Sequence, residues 1–151
     1  MEQIISPIPK ELLTQEIATL SRNDLYVERG KFRVYIAQAS KIPTILQEIG
    51  RLREQTFREV GEGTGKALDL DEFDQYYYNL FIWDSEQQQI VGGYRVGAGD
   101  TIFENHGIAG FYINSLFHIQ KHAYTILKNS LELGRSYICL LYTSPSPRDR
   151  G

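Results

Sequence analysis

The stretch YYYNLFIWDSEQQQIVGGYRVGAG, residues 76–99, decides the fold that this sequence predicts. Its two ends, 76–84 and 89–99, are rich in aromatic and β-branched residues, which favour β-strands. The polar run SEQQQ between them is short enough to join neighbouring strands. We therefore predict a pair of adjacent strands at 76–84 and 89–99.

The segments before this pair predict a helix, a hairpin and a second helix. IPKELLTQEIATL (8–20) is typical of a short helix with a proline near its start. DLYVERGKFRVYIA (24–37) alternates in polarity and breaks at Arg29-Gly30, as a hairpin does. In residues 41–60, apolar side chains recur at the spacing of one helical face.

The segments after the pair complete an α/β pattern. They predict an irregular stretch to about Ile113, a helix at 117–129 and a strand at 130–138. This order of elements indicates a mixed α/β sandwich, without an internal repeat or an interdomain linker.

The composition excludes several classes of protein. The chain has 151 residues, a net charge of −3 and no basic block, so a nucleic-acid-binding surface is not expected. Its apolar runs are far shorter than the roughly 20 residues that span a bilayer, and its start does not resemble a secretory signal. We expect a cytoplasmic protein, either free or in peripheral contact with the inner membrane.

Two acidic or glycine-rich stretches resemble ligand loops but fail their templates. VGEGTGKAL (60–68) has three residues instead of four between Gly61 and Gly65, and it follows a predicted helix, so it indicates a plain or substrate-gating loop rather than a nucleotide loop. DLDEFDQ (69–75) lacks the glycine that a calcium loop requires, so it predicts a solvated turn capped by Asp.

No metal site is expected. His118 and His122 are four residues apart on a predicted helix, but a third ligand is not evident near them. The one cysteine, Cys139, also excludes a disulfide framework within the chain.

A set of charged residues in apolar surroundings is the strongest candidate for a site. An arginine within an apolar strand, such as Arg95, is costly to bury without a carboxylate partner. The sequence balances three arginines against three acids: Arg53, Arg95 and Arg135 against Asp71, Asp74 and Glu132. This set is either an ion-pair network that only stabilises the fold or a functional site.

The spacing of these charges makes two geometric predictions. Arg53 and Phe57 are four residues apart and share one face of a predicted helix. Glu132 and Arg135 are an odd number of residues apart, so they point to opposite faces of a regular strand. A bulge at Gly134 would bring them to the same face.

Four motifs carry a family resemblance: Arg53-x-x-x-Phe57, Asp71-x-Phe73-Asp74, Gly92-Gly93-Tyr94-Arg95 and Glu132-Leu133-Gly134-Arg135. They resemble the branch of the GNAT acyltransferase fold that holds acyl-homoserine-lactone synthases and the bacterial N-acyltransferases of ornithine and glycine lipids, often labelled hemolysins. The resemblance runs from PIPKELL to Ile138. The stretches IGRLREQTFREVGEGTG, DLDEFD and ELGRSYI are more similar to glycine lipid N-acyltransferase than to the lactone synthases.

The resemblance implies a fold and a reaction. The fold is a mixed sheet, splayed at its centre and flanked by helices. The donor is a fatty acyl thioester on acyl carrier protein, and no bound cofactor is implied. The acceptor is a small amino acid, glycine first and ornithine next. The product is an N-acyl amino acid for an amine-containing membrane lipid. An acyl-homoserine-lactone synthase, or a non-catalytic module that binds acyl carrier protein or lipid, remains an alternative.

The same resemblance assigns roles to the charged residues. Glu132 is the candidate base for the acceptor amine, and Arg95 or Arg135 is suited to its carboxylate. Asp71 and Asp74 would orient these arginines or contact the amine. Arg53 and Phe57 would shape a mobile wall over the acyl thioester.

The C-terminal stretch departs from the family. CLLYTSPSPRD (139–149) resembles the translation of a transposase-type sequencing adapter, so we expect residues 1–138 to be the N-terminal part of a GNAT-like domain and 139–151 to be a non-native, disordered tail. A Gly-rich anion loop is expected at this point and is not present. The chain as given is therefore expected to be inactive.

Overall fold

In the part of the chain that the structure describes, five strands form one sheet in the order β1-β2-β3-β4-β5, and every neighbouring pair is antiparallel. The structure is a computed structural model that describes residues 1–139. The strands are β1 Leu25–Arg29, β2 Phe32–Gln38, β3 Tyr78–Asp84, β4 Gln89–Ala98 and β5 Leu131–Ile138. The α/β class is confirmed, while the mixed sheet implied by the family has no parallel pair within residues 1–139.

Within the described residues, four α-helices accompany the sheet: α1 Lys10–Ala18, α2 Pro43–Glu59, α3 Gly99–His106 and α4 Tyr124–Lys128. The long helix α2 begins with a proline at its first position, where the missing N–H costs nothing. None of the helices within residues 1–139 has the length and apolar character needed to span a bilayer.

The main core lies between the sheet and the first two helices. It is formed by side chains of α1, α2 and one face of the strands: Leu13, Ile17, Ile45, Ile49, Leu52, Tyr35, Phe81, Trp83 and Tyr137. A fully buried side chain of this kind stabilises the fold by about 1.5–3 kcal/mol. The alternate residues of the central strands, such as Leu80, Ile82 and Val96, are only half-buried.

A second, smaller core lies at one end of the sheet. Phe73, Tyr77, Ile102 and Phe111 form it, and it packs α3 against the turns that follow. The sequence predicted an irregular stretch where α3 lies, because its residues are poor helix formers and the burial of Ile102 that stabilises it is a tertiary effect. The helix predicted at 117–129 is shorter than expected, since only Tyr124–Lys128 is α-helical.

The double glycine of β4 allows close contact between strands. A Cβ atom on Gly93 would lie 2.2 Å from the backbone oxygen of Leu80, which no side chain permits. Only glycine therefore lets β3 and β4 pair at this point, two residues before Arg95.

The predicted bulge in the last strand is confirmed. Arg95 pairs with Gly134 and Gly93 with Tyr137, so β5 contains one more residue than β4 between these pairs. Arg135 adopts a φ of 53°, which is uncommon for a residue other than glycine. Glu132 and Arg135 consequently reach the same face of the sheet, where both contact Tyr112.

Candidate active site

Arg53 is the most deeply buried arginine of the predicted set. It lies on α2 with no exposed surface, and it donates to Asp74 Oδ1 (2.9 Å) and to Asn79 Oδ1 (2.9 Å). Because Arg53 is fully buried in this structure, no surface of it is open to a substrate here, and its role in a wall over the acyl thioester stays a prediction. Its contacts make it the residue that holds Asp74 in place.

Arg95 is held by two carboxylates and surrounded by aromatic rings. Its Nη1 donates to Asp71 Oδ1 (2.6 Å) and Asp74 Oδ2 (3.3 Å), and 1% of the residue is exposed. Its guanidinium lies 5.1–5.5 Å from three ring centroids, those of Phe73, Tyr77 and Tyr112. Such rings stabilise a desolvated cation, so this cage fixes the charge of Arg95 away from solvent.

Arg135 differs from the other two arginines because it makes no hydrogen bond to any residue in 1–139. Its nearest carboxylate oxygens are Asp69 Oδ2 at 3.5 Å and Asp71 Oδ2 at 4.0 Å. About a quarter (26%) of its side chain is exposed. The side chain of Arg135, apart from its buried Nε, is therefore accessible to an anionic ligand.

Glu132 is not paired with an arginine, contrary to the charge balance that the sequence predicted. Its carboxylate accepts hydrogen bonds from the Tyr77 hydroxyl and from two backbone N–H groups, those of Tyr112 (3.0 Å) and Ile113 (2.9 Å). Asp69 takes its place in the ion-pair network. Glu132 thus anchors the turn at Tyr112–Ser115 to the last strand.

The buried carboxyls of the network differ in their electrostatics. Burial raises the pKa of Asp69, although Arg135 and Arg53 oppose the rise. Burial acts in the same sense on Asp71, but the hydrogen bond and charge of Arg95 outweigh it and lower the pKa of that carboxyl. Burial, together with the hydrogen bond to Glu132, raises the pKa of the Tyr77 hydroxyl, which therefore stays protonated as a donor.

The short turn at Glu72–Gln75 sets the positions of both acids that contact Arg95. Asp71 caps this turn by accepting from the Phe73 N–H (3.0 Å), and Asp74 accepts from the Asp71 N–H (3.0 Å). The predicted capping role of Asp71 is confirmed. The predicted solvated character is wrong, since Asp74 is 1% exposed.

A cavity of about 290 Å³ opens beside Arg135. Phe57, Glu62, Arg135 and Ser136 line it. Phe57 belongs to α2 and Glu62 to the Gly-rich loop that follows it, whereas the other two residues belong to β5. The cavity therefore joins the loop to the network arginine whose side chain is partly exposed.

The Gly-rich loop is held from within by a buried carboxylate. Glu54, which has no exposed surface, accepts from the Thr64 hydroxyl and from the backbone N–H groups of Thr64 (3.0 Å) and Gly65 (3.0 Å). Arg58 Nε donates to it as well (2.6 Å). Burial alone would raise the pKa of Glu54, but these hydrogen bonds lower it to about 2.

Replacing Glu54 with glutamine is expected to lower the free energy of unfolding at pH 7 by about 1–3 kcal/mol, because buried N–H donors lose an acceptor. Because the pKa of Glu54 is lower in the folded state, its contribution is present above about pH 4.5 and is lost toward pH 2. The difference between the two proteins should therefore narrow as the pH falls. Urea denaturation at pH 7 and pH 3 measures it, with exposed Glu59→Gln as the control.

Sequence reasoning missed two members of the network, Asp69 and Asn79. Asn79 is 1% exposed and alternates with the buried Phe81 and Trp83, so a polar residue on the apolar face of β3 was a signal that could have found it. Asp69 gave no such signal, since it looked like part of a solvated turn.

The two histidines do not share a helix. His118 precedes the short turn Lys121–Ala123 that contains His122, and both residues are exposed. Within residues 1–139, no group of three His, Cys, Asp or Glu residues is placed to hold a metal ion.

Comparisons with known proteins find one family and close relatives. Residues 52–144 match the acetyltransferase (GNAT) domain. Proteins named glycine N(alpha)-acyltransferase, from Phocaeicola vulgatus and Bacteroides thetaiotaomicron, are each 36% identical to the whole chain over 156 residues. The chain spans 48% and 46% of these relatives, or about half of their length. No solved structure matches it significantly.

Proposed function

Because the chain belongs to the acetyltransferase (GNAT) domain family, we propose that the protein acts as an N-acyltransferase on a small amino acid. Glycine is the first choice of acceptor, because both curated relatives are named for it, and ornithine is the second. The donor in this proposal is a fatty acyl thioester of acyl carrier protein. The product would enter the synthesis of an amine-containing membrane lipid.

The reaction needs an amine that is free to attack. The amine nitrogen forms a bond to the thioester carbonyl carbon, and the carbon–sulfur bond breaks. The ammonium group of the amino acid loses one proton to a base before the attack. A second proton passes from the nitrogen to the departing thiolate. A site for this reaction therefore needs a base, a group for the acceptor carboxylate and donors for the oxyanion.

The observation that carries the proposal is that the Arg135 side chain lines a cavity and makes no hydrogen bond within residues 1–139. It differs in this from the side chains of Arg53 and Arg95, which both donate hydrogen bonds, and the cavity that it lines has a volume of about 290 Å³. An accessible guanidinium binds a carboxylate through two parallel N–H···O hydrogen bonds, a bidentate geometry. Arg95 is enclosed by acids and rings, so we assign the acceptor carboxylate to Arg135 rather than to Arg95.

The remaining roles follow from position. Glu132 lies three residues before Arg135 on the same face of β5 and is the proposed base, directly or through water. The outer edge of β5 pairs with no strand in residues 1–139, so its N–H groups are candidates to hold the oxyanion. Asp71 and Asp74 orient the arginines, and Phe57 forms a wall of the cavity.

The uneven distribution of acidic residues along the chain supports a contact region for the acyl-carrier donor. From Asn105 to Leu131 the chain has no Asp or Glu, although its net charge is −3. This stretch carries Lys121 and Lys128 and exposes Phe117 (65%) and Ile126 (70%). An exposed segment that is positive and apolar suits an acidic acyl carrier, and it would also serve a peripheral contact with the inner membrane.

An assay of the full-length protein that contains this chain tests the proposal. Purified protein is incubated with acyl-loaded carrier protein and with glycine, ornithine or S-adenosylmethionine, and products are identified by mass spectrometry. We expect N-acylglycine. A lactone formed only from S-adenosylmethionine would favour a lactone synthase. The absence of a product with every acceptor would favour a non-catalytic binding module.

Replacing Arg135 with glutamine in the full-length protein should raise the KM for glycine by about 10- to 100-fold, because a charge-assisted contact to the carboxylate is lost. The melting temperature should fall as well, because the buried Asp69 loses its nearest cation, so KM is measured at a temperature at which the variant is folded. Steady-state kinetics and thermal denaturation measure these effects. An unchanged KM would remove Arg135 from the acceptor site.

A further inference from the structure

The cavity beside Arg135 has a negative pole as well as a positive one. Glu62 lines it together with Phe57 and Ser136, so a carboxylate and a guanidinium share one space of about 290 Å³. In residues 1–139 no Lys, Arg or His nitrogen lies within 4 Å of the Glu62 carboxylate. The Arg135 guanidinium and the Glu62 carboxylate can therefore both contact a ligand in this cavity.

Glu62 is held in place by its backbone and its neighbours. Its N–H donates to the oxygen of Phe57 (2.8 Å) at the end of α2. Two residues further on, Thr64 and Gly65 are bound by the buried Glu54. The backbone of the loop around Glu62 is therefore held on both sides of this residue, while its exposed carboxylate has no hydrogen bond within residues 1–139.

We propose that this cavity binds the acceptor as a zwitterionic α-amino acid, with Arg135 contacting its carboxylate and Glu62 its ammonium group. The inference rests on the proposed function and adds Glu62 as a residue that determines acceptor specificity. Such a site selects a ligand with two opposite charges over one with a single charge. Acetate and methylamine each carry one of the two groups of glycine.

Substitutions of Glu62 and of Arg135 should have different effects on binding. Glu62→Gln keeps the size of the side chain but removes the charge opposite the ammonium group. It should weaken glycine binding about tenfold and leave acetate binding unchanged or tighter. Arg135→Gln should weaken both glycine and acetate while leaving methylamine unaffected. The variant Glu59→Gln, in an exposed position on the last turn of α2, should change none of these affinities.

Isothermal titration of the full-length protein with glycine, acetate and methylamine tests the inference. A fall in the ratio of glycine to acetate affinity in Glu62→Gln, with an unchanged ratio in Glu59→Gln, supports it. An unchanged ratio in Glu62→Gln overturns it. Thermal denaturation shows that each variant is folded at the temperature of the titration.

This readout separates the inference from the proposed function. If the full-length protein acylates glycine and Glu62→Gln has the same KM for glycine as the parent, the inference fails while the function stands. If the protein acylates no amine, the function fails, and the affinity ratio still decides whether the cavity binds zwitterions.

Discussion

Replacing Asp74 with asparagine is expected to lower the free energy of unfolding by about 3–5 kcal/mol. Asp74 is 1% exposed and accepts from Arg53 (2.9 Å) and Arg95 (3.3 Å), two guanidinium groups that have almost no contact with solvent. Asparagine fits the space, but it removes the negative charge between them. Domains of this size have a total stability of about 5–15 kcal/mol, so this loss is a substantial share of the total.

Urea denaturation followed by circular dichroism measures this effect. The control is Glu72→Gln, an exposed carboxylate in the same turn, which should change the free energy of unfolding by no more than about 0.5 kcal/mol. If Asp74→Asn were as stable as the control, Arg53 and Arg95 would need another source of compensation. The central position that the structure gives to Asp74 would then be incorrect.

The elements that the sequence predicted well are those set by local pattern. The hairpin of β1 and β2, the pair β3 and β4 and the long helix α2 follow from polarity periods of two and 3.6 residues. The helix α3 was missed because its stability depends on Ile102, which is buried in one cluster with Phe73 and Tyr77, residues too distant in the sequence to share a local window with it. Tertiary packing therefore stabilises this helix although its residues have a low helix propensity.

The sequence predicted which types of residue form the candidate site, but only in part which carboxylate pairs with which arginine. A buried Arg95 required a carboxylate, and the structure supplies Asp71 and Asp74. The sequence could not show that Asp69 rather than Glu132 faces Arg135, because this depends on the bulge in β5 and on the turn that carries Asp69. Which residues form ion pairs between distant segments depends on how the strands are aligned with each other. The residue types alone do not determine that alignment.

The partners of Glu132 could not have been found from the sequence. Two of its three donors are backbone N–H groups, at Tyr112 and Ile113, and every residue except proline offers one. These contacts give Glu132 a structural role beside its proposed catalytic one. A test of the base must therefore distinguish the two roles.

Replacing Glu132 with glutamine in the full-length protein is expected to lower kcat by about 10²- to 10⁴-fold, the range that general base catalysis contributes. The matched control is Glu104→Gln, an exposed carboxylate on α3 that lies outside the network. Steady-state kinetics with glycine across a range of pH measures the effect. A kcat within twofold of the parent would remove Glu132 as the base.

The pH profile separates the loss of a base from the loss of an anchor. If Glu132 removes the proton, the glutamine variant depends on amine that is already deprotonated in solution, which increases about tenfold per pH unit. Its deficit should then shrink steadily as the pH rises. If Glu132 only anchors the turn at Tyr112, the deficit should be constant with pH and should come with a lower melting temperature. Tyr77→Phe removes one donor and keeps the carboxylate, so it should retain the pH profile of the parent if the base role is correct.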